Sequence, residues 1–391
     1  MTRPSSPVVV LWLSGVLAAA QLGKFTAMAP GLRADFGLSL PALGWLISLL
    51  EIGGALFGFA AGVVLGRVGA RRMMVVGLVL LAATGIAEAV SPTIGLLFLA
   101  RGGEGLGYLL VVISAPTMIV GLTGPGFERD RAMALWSTFV PVGVGAGTAI
   151  TGLAEGLMGV RAVMLGWALL SLLLLVPIMH GKGPEPLRRG RAIPAMGAWL
   201  LSLGFGCYTL FLCALTGLLP LFLFDRHGTA MATGSAIAGG IALSALPGTG
   251  LSLTLLRQGL TMRRRMIVLG GVLGGAALLA PMIFLVSGLI GCAVLAGGLL
   301  VLAGVARTLI FTRLPALSGG SGAGACHPDH ARLASAQGLL TQCGAGGALL
   351  GPPLGALLVQ GYGWGALGVW IGGLVLVLLI CLVGAETAAA N

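Results

Sequence analysis

The length of its apolar runs constrains this chain more than any other feature. From Val8 to Val383 it is a succession of apolar stretches, broken by short polar or Gly/Pro segments, and about 20 such residues suffice for a helix to cross the hydrocarbon of a bilayer. Only 8% of the 391 residues are charged and 57% are apolar, with a mean hydropathy of +1.06. A water-facing surface cannot be covered with so few polar groups, whereas a lipid-facing helix satisfies its own backbone. The expected fold class is an all-α integral membrane protein. Its 68 glycines are then packing material, because small residues let helix backbones approach closely in lipid.

Reading the runs between breaks gives six spans near Val8–Pro30, Leu43–Val64, Met73–Val90, Gly95–Gly121, Ala132–Gly152 and Ala162–Met179. Six more follow near Ala195–Phe224, Thr229–Leu256, Met266–Val286, Gly291–Phe311, Arg332–Val359 and Gly365–Val383. Between the two sets lies a Gly/Pro segment with Lys182, Glu185, Arg188, Arg189 and Arg191. The expected organisation is an N-terminal six-helix bundle over 1–180, a cytoplasmic linker over 181–194 and a C-terminal bundle over 195–391. Met1 to Val10 has neither the basic stretch nor the cleavage site of a secretory signal, so the first helix is expected to stay.

The formal charge of +11 would suggest nucleic acid in a soluble protein, but its placement explains it otherwise. If the chain starts inside, sixteen of the 22 Lys and Arg residues fall on the cytoplasmic side. Outside lie Arg33, Arg161 and Arg226, and Lys24, Arg101 and Arg307 fall within spans. Cytoplasmic loops retain Lys and Arg, so both termini are expected in the cytoplasm of a cell whose inner membrane holds the chain, with no nucleic-acid partner. The six cysteines show no C-x-x-C spacing, and no disulfide framework is expected.

The halves repeat one another. Arg67-Val68-Gly69 recurs as Arg257-Gln258-Gly259, and Arg71-Arg72-Met73 as Arg264-Arg265-Met266. Gly54, Gly58, Gly62 and Gly66 are answered by Ser244, Gly248 and Ser252, while Gly143 and Gly147 map onto Gly347 and Gly351 at an offset of 204. Repeated halves with a site at their interface are how many secondary transporters are built.

These residues resemble the major facilitator superfamily. Its loop signature between helices 2 and 3, G-x-x-x-D-R-x-G-R-K/R, is similar to the segment Gly62 to Arg71, with Gly62, Arg67, Gly69 and Arg71 in place, Gly66 at the acidic position and Ala70 at the first basic position of the closing pair. The helix 4 signature, R-x-x-x-G-x-G, is matched in full by Arg101 to Gly107, and the helix 5 antiporter signature is only partly echoed at Val140-Pro141-Val142-Gly143. The resemblance implies two pseudo-symmetric six-helix bundles that alternate access to a central site, with the 2–3 loop setting conformation. In the family the loop acid helps to latch the halves, a function that Gly66 cannot supply.

Charges inside spans are costly and usually mark a pathway. Lys24, with Gln21 one turn before it, can face a central cavity or snorkel. Glu51 is too deep to snorkel and is either a protonatable coupling group or a neutral acid bonded to a neighbouring helix. Arg101, Glu104 and Tyr108 share one face of their helix. Arg101 and Glu104 can then couple substrate to proton or form a fixed ion pair. Arg307, opposite Tyr108 when Pro116 is aligned with Pro315, is either a cavity cation or an anchor at the span end. Lys24, Gln21, Tyr108 and Arg307 are thus the candidate substrate-binding residues, and Glu51, Arg101 and Glu104 the candidate proton-coupling residues. Glu88, Glu155, Asp225 and His227 sit at helix ends and read as interfacial.

Three in-span cations against two carboxylates favour an anionic or zwitterionic solute. The expected function is proton-coupled secondary transport of a small organic solute by a monomer in the lipid bilayer, with no cofactor. The alternatives are drug or metabolite efflux by proton antiport, and a membrane-embedded enzyme acting on a lipid. Neither a P-loop, H-E-x-x-H nor G-x-S-x-G occurs. Cys326-His327-Pro328-Asp329-His330 has metal-ligand chemistry at short spacing, but structural zinc wants four ligands and a loop flanked by Gly and Ser is more often merely solvated, and no metal is expected.

Overall fold

Among the described residues, short breaks such as those at 37–39, Gly69 and 90–93 end one helix and start the next. A computed structural model describes residues 6–123, 132–133, 135–180, 194–257, 261–317 and 330–390, and these form helices and turns with no strand among them. The first six spans are α1 (Ser6–Phe36), α2a (Leu40–Ser48) continued through a 3-10 turn (Leu49–Glu51) into α2b (Ile52–Val68), α3 (Ala70–Ala89), α4 (Ile94–Leu122), α5 (Phe139–Met158) and α6 (Val160–His180). The next six are α7 (Met196–His227), α8a (Met231–Leu243) and α8b (Ala245–Arg257), α9 (Met262–Leu285), α10 (Leu289–Phe311), α11 (His330–Tyr362) and α12 (Trp364–Ala390). All twelve are long and apolar enough to cross a membrane. The fifth span begins later than its apolar run, because residues 137 and 138 form a turn before Phe139. Residues 181–193 of the expected linker and the Cys326–His330 cluster lie outside the residues whose side chains are described.

Local chemistry sets several of these boundaries. Ser39, Thr93 and Thr261 each accept a hydrogen bond from a backbone N–H of the first turn that follows, that of Ala42, Leu96 and Arg264, satisfying donors that a helix start leaves open. Gly159 and Gly363 are single-residue corners between α5 and α6 and between α11 and α12, at φ of 78° and 81°. A side chain there would be strained.

The helix pairings of the first six spans recur in the second six. α1 packs on α5 as α7 does on α11, α3 on α4 as α9 on α10, α3 on α6 as α9 on α12, and α2b on α4 as α8b on α10. Pairs across the halves obey the same rule, with α2 against α11 and α5 against α8a. Glycines make the closest pairs. Gly143 and Gly147 lie against the carbonyls of Val16 and Ala20 of α1, and Gly347 and Gly351 against those of Gly206 and Leu210 of α7, so that a Cβ at any of the four would overlap a backbone oxygen. Gly347→Ala is therefore expected to lower the thermal unfolding midpoint in detergent, by the equivalent of about 1–3 kcal/mol for overpacking. Gly373→Ala on α12, where nothing lies within 4 Å, should leave it unchanged.

The apolar interior is asymmetric about the membrane plane. We call the end where α1 begins and α12 finishes the terminal end, and the opposite one the far end. One core is drawn wholly from residues between Val8 and Ile178. The other holds most of the buried apolar residues of α7 to α12 and reaches across to Phe25, Met28, Leu32, Leu43, Ile47 and Leu97, all toward the far end of the first six helices. There the halves share one interior.

Candidate functional site

Four ionisable side chains meet inside the first six helices. Lys24 of α1, Arg101 and Glu104 of α4, and Glu88 at the penultimate position of α3 are all buried. The Lys24 ammonium donates to Glu88 Oε2 at 2.6 Å and to Glu104 Oε1 at 2.9 Å. Arg101 pairs with Glu104 Oε2 on its own helix. Glu104 thus has both oxygens engaged. Two cations and two carboxylates balance, as burial of charge demands.

Arg101 is further fixed by the break in α2. Its Nε donates to the carbonyl of Leu46 at 3.2 Å and a terminal nitrogen to that of Ile47 at 3.0 Å. An unbroken α-helix would commit those carbonyls to the N–H groups of residues 50 and 51. The 3-10 turn over Leu49–Glu51 loosens that commitment, and the guanidinium fork takes up the acceptors. Phe25 supplies a ring 4.2 Å from the Arg101 guanidinium carbon and 5.2 Å from the Lys24 ammonium, within cation–π range.

The glycines of the helix 4 signature make this approach possible. A Cβ at Gly105 would lie 2.7 Å from the Leu50 carbonyl oxygen, and one at Gly53 2.6 Å from that of Gly105. At Gly107 it would lie 2.9 Å from the Gly77 carbonyl oxygen of α3. Each spaced glycine of R-x-x-x-G-x-G therefore admits a different neighbouring helix beside the arginine.

Glu51 ends the 3-10 turn, buried and without an ion-pair partner among the described residues. The Tyr108 hydroxyl, one turn along α4 from Glu104, faces its carboxyl, as does Cys213 of α7 from the other half. The turn packs on both α4 and α11. Glu51 thus sits where the halves meet, whereas the quartet lies within one half.

The remaining candidates are more scattered. Gln21 is buried, with its amide nitrogen on the Leu17 carbonyl at 3.4 Å and its amide oxygen without a partner among the described residues. Arg307 donates to the Ser137 carbonyl at 3.2 Å, across the halves toward the terminal end. Arg71 donates to the Ile178 carbonyl of α6 at 3.2 Å and Gly69 forms the corner before α3 at φ 92°, while the side-chain surroundings of Gly62 and Arg67 are outside the described set. At the far end Arg33 and Asp225 join α1 to α7 at 3.4 Å, both partly exposed. Arg33→Ala should change unfolding stability by less than about 1 kcal/mol, the usual worth of an exposed pair, as a melt at low and high salt would register.

Glu88 corrects the sequence reading. It is not interfacial, because it continues the buried stripe Leu78, Leu81 and Gly85 along α3 and serves as counter-ion to Lys24. Helical spacing carried that signal. With Glu88 counted, the cation surplus disappears, since both Lys24 and Arg101 are neutralised in place.

Residues 11–327 match the family model of the Major Facilitator Superfamily. The chain belongs to that superfamily. As a major facilitator it is a multi-pass membrane transporter rather than an enzyme. Among curated relatives it is 26% identical over 134 residues to "Multidrug resistance protein Stp" of Mycobacterium tuberculosis (strain CDC 1551 / Oshkosh), covering 34% of this chain and 25% of Stp. It is also 26% identical over 191 residues to "Cephamycin export protein CmcT" of Amycolatopsis lactamdurans, covering 46% of this chain and 39% of CmcT. The chain thus spans well under half of each. In fold it is similar to a crystal structure of a bacterial homologue of the human lysosomal transporter Spinster, inward-facing and occupied, with a TM-score of 0.75 at 18% identity over 100% of this chain and 96% of that one. The same homologue in its unoccupied form gives 0.72 at 16% identity.

Proposed function

We propose that this major facilitator exports a small organic solute in exchange for protons, with Glu51 as the carboxyl that holds either the proton or a positive group of the solute. The observation that carries this reading is the position of Glu51 at a helix break between the halves, facing Tyr108 and Cys213, with no ion-pair partner among the described residues, since Arg101, whose charge reaches it, is bonded to Glu104. A single carboxyl that cannot hold both partners at once gives exchange by competition. A solute with an amine, cationic or zwitterionic, satisfies it better than a pure anion, because Lys24 and Arg101 are already spent on Glu88 and Glu104. Relatives named for multidrug resistance and cephamycin export favour the outward direction.

In this reading the protein works as a monomer in the inner membrane, with both termini cytoplasmic from the distribution of Lys and Arg. The far end then faces outward, and residues 1–180 and 195–391 rock about the interface that holds Glu51. Purified protein in liposomes, given a panel of organic amines, amino-acid-like zwitterions and organic acids, should move amines or zwitterions against their gradient when a pH gradient is imposed and stop when an ionophore collapses it. Movement unchanged by the ionophore would exclude proton coupling, and movement of the acids alone would exclude the assigned solute class.

A further inference from the structure

We propose that Glu88 is the member of the buried quartet that takes up and releases a proton, and that it does so from the far end of the molecule. The inference rests on the proton-coupled reading for its part in transport, though not for its chemistry. The argument is one of hydrogen-bond bookkeeping among four buried groups. Glu104 accepts from Lys24 on one oxygen and from Arg101 on the other, so a proton added to it lands on an oxygen already bonded to a cation and weakens that bond. Arg101 does not give up its proton in proteins and is held by Glu104 and two backbone carbonyls. Glu88 differs, because Oε2 accepts from Lys24 while Oε1 is buried and accepts no hydrogen bond among the described residues, with the Glu104 carboxyl close enough to receive one from it once it is protonated. A proton can bind at Oε1 without breaking any existing bond.

The electrostatic surroundings agree. The charged groups that act on Glu88 are Lys24 of α1 and Glu104 and Arg101 of α4. α6, which also packs on α3, meets this stretch through Ala168 against Gly85. Protonation turns the ion pair between α1 and α3 into a hydrogen bond between ammonium and neutral acid, while Lys24 keeps its charge on Glu104. The quartet then carries one net positive charge, and the tie from α3 to α1 is weakened without being cut.

Its place gives the direction. Glu88 is the last residue but one of α3, and two residues on Val90 is 64% exposed. Glu88 thus stands at the far end of its helix, whereas Glu51 follows the nine residues of α2a and lies deeper, at the interface between halves. Glu88 is therefore a second titrating carboxyl, distinct from Glu51 in both position and partner.

Infrared difference spectroscopy of the purified transporter between alkaline and acidic buffer reads protonated buried carboxyls directly and needs no solute. The unmutated protein should show a titrating carboxylic-acid carbonyl band that is lost in Glu88→Gln and retained in both Glu104→Gln and Glu51→Gln. In Glu88→Asp, which keeps the titrating group should Glu88→Gln fold poorly, the band should shift rather than vanish. A spectrum unchanged by either Glu88 substitution, or a band lost from Glu104→Gln instead, overturns the assignment. If the Glu88 band is present while a pH gradient moves no solute in the unmutated protein, the assignment stands and proton-coupled transport falls.

Discussion

Arg101→Met is expected to be among the most destabilising single substitutions in the molecule. It removes the partner of Glu104 Oε2 and leaves the carbonyls of Leu46 and Ile47 without their donor, so one cation, Lys24, faces two buried carboxylates beside two orphaned acceptors. Breaking a buried ion pair from one side typically costs about 3–5 kcal/mol, because the surviving charge remains uncompensated, and each orphaned acceptor adds its own desolvation. Arg101→Lys keeps the charge but cannot reach three acceptors from one point and should fall between. The measurement is thermal unfolding in one detergent for Arg101→Met, Arg101→Lys and the double variant Arg101→Met/Glu104→Leu. If stranding is the cause, the double variant regains much of the loss. A midpoint for Arg101→Met within a degree or two of the parent would mean that the α2–α4 contact stands without the guanidinium.

The second large effect concerns transport rather than folding. Glu51→Gln keeps the size of the side chain and an acceptor for the Tyr108 hydroxyl while removing titration, so accumulation driven by a pH gradient should be abolished. Exchange of labelled for unlabelled solute across the same liposome membrane, which needs no net proton movement, should persist with weakened affinity for amines. Tyr108→Phe should leave gradient-driven transport within several-fold of the parent, since it removes a hydrogen bond but not the carboxyl. Both measurements belong on one preparation, with melting temperature as a control. Retention of full gradient-driven accumulation by Glu51→Gln would move the coupling role away from the interface between halves.

How much of this was legible before the coordinates depended on range along the chain. Span number, repeat and glycine pairing are periodic, and the match of Gly143 and Gly147 to Gly347 and Gly351 translated directly into four backbone contacts, two in each half. The pairing of Arg101 with Glu104 was open to reading because residues three apart share a helix face. Glu88 was missed because proximity to a helix end was given more weight than its helical phase, although the buried stripe from Leu78 onward pointed inward. Arg307 illustrates the opposite limit. Aligning the repeats places it on a helix but says nothing about which neighbour lies opposite, and its acceptor, the carbonyl of Ser137, is 170 residues away in sequence. The break in α2 was hidden for a related reason, since Leu49–Glu51 contains neither Gly nor Pro and takes its shape from what packs on it.

The shared interior at the far end gives the transporter a thermal bias. Opening that end would move apolar side chains of this shared interior, Ile47 beside Gly217 of α7 among them, from contact between the halves into a water-filled cleft. Exposure of apolar surface raises heat capacity, and the force that opposes it weakens on cooling. The balance between the two access states should therefore shift with temperature even with no solute bound, the form open at the far end gaining population in the cold. Any ligand then acts on an equilibrium whose resting point is set by apolar packing, and can shift it only by as much as it binds one state more tightly than the other.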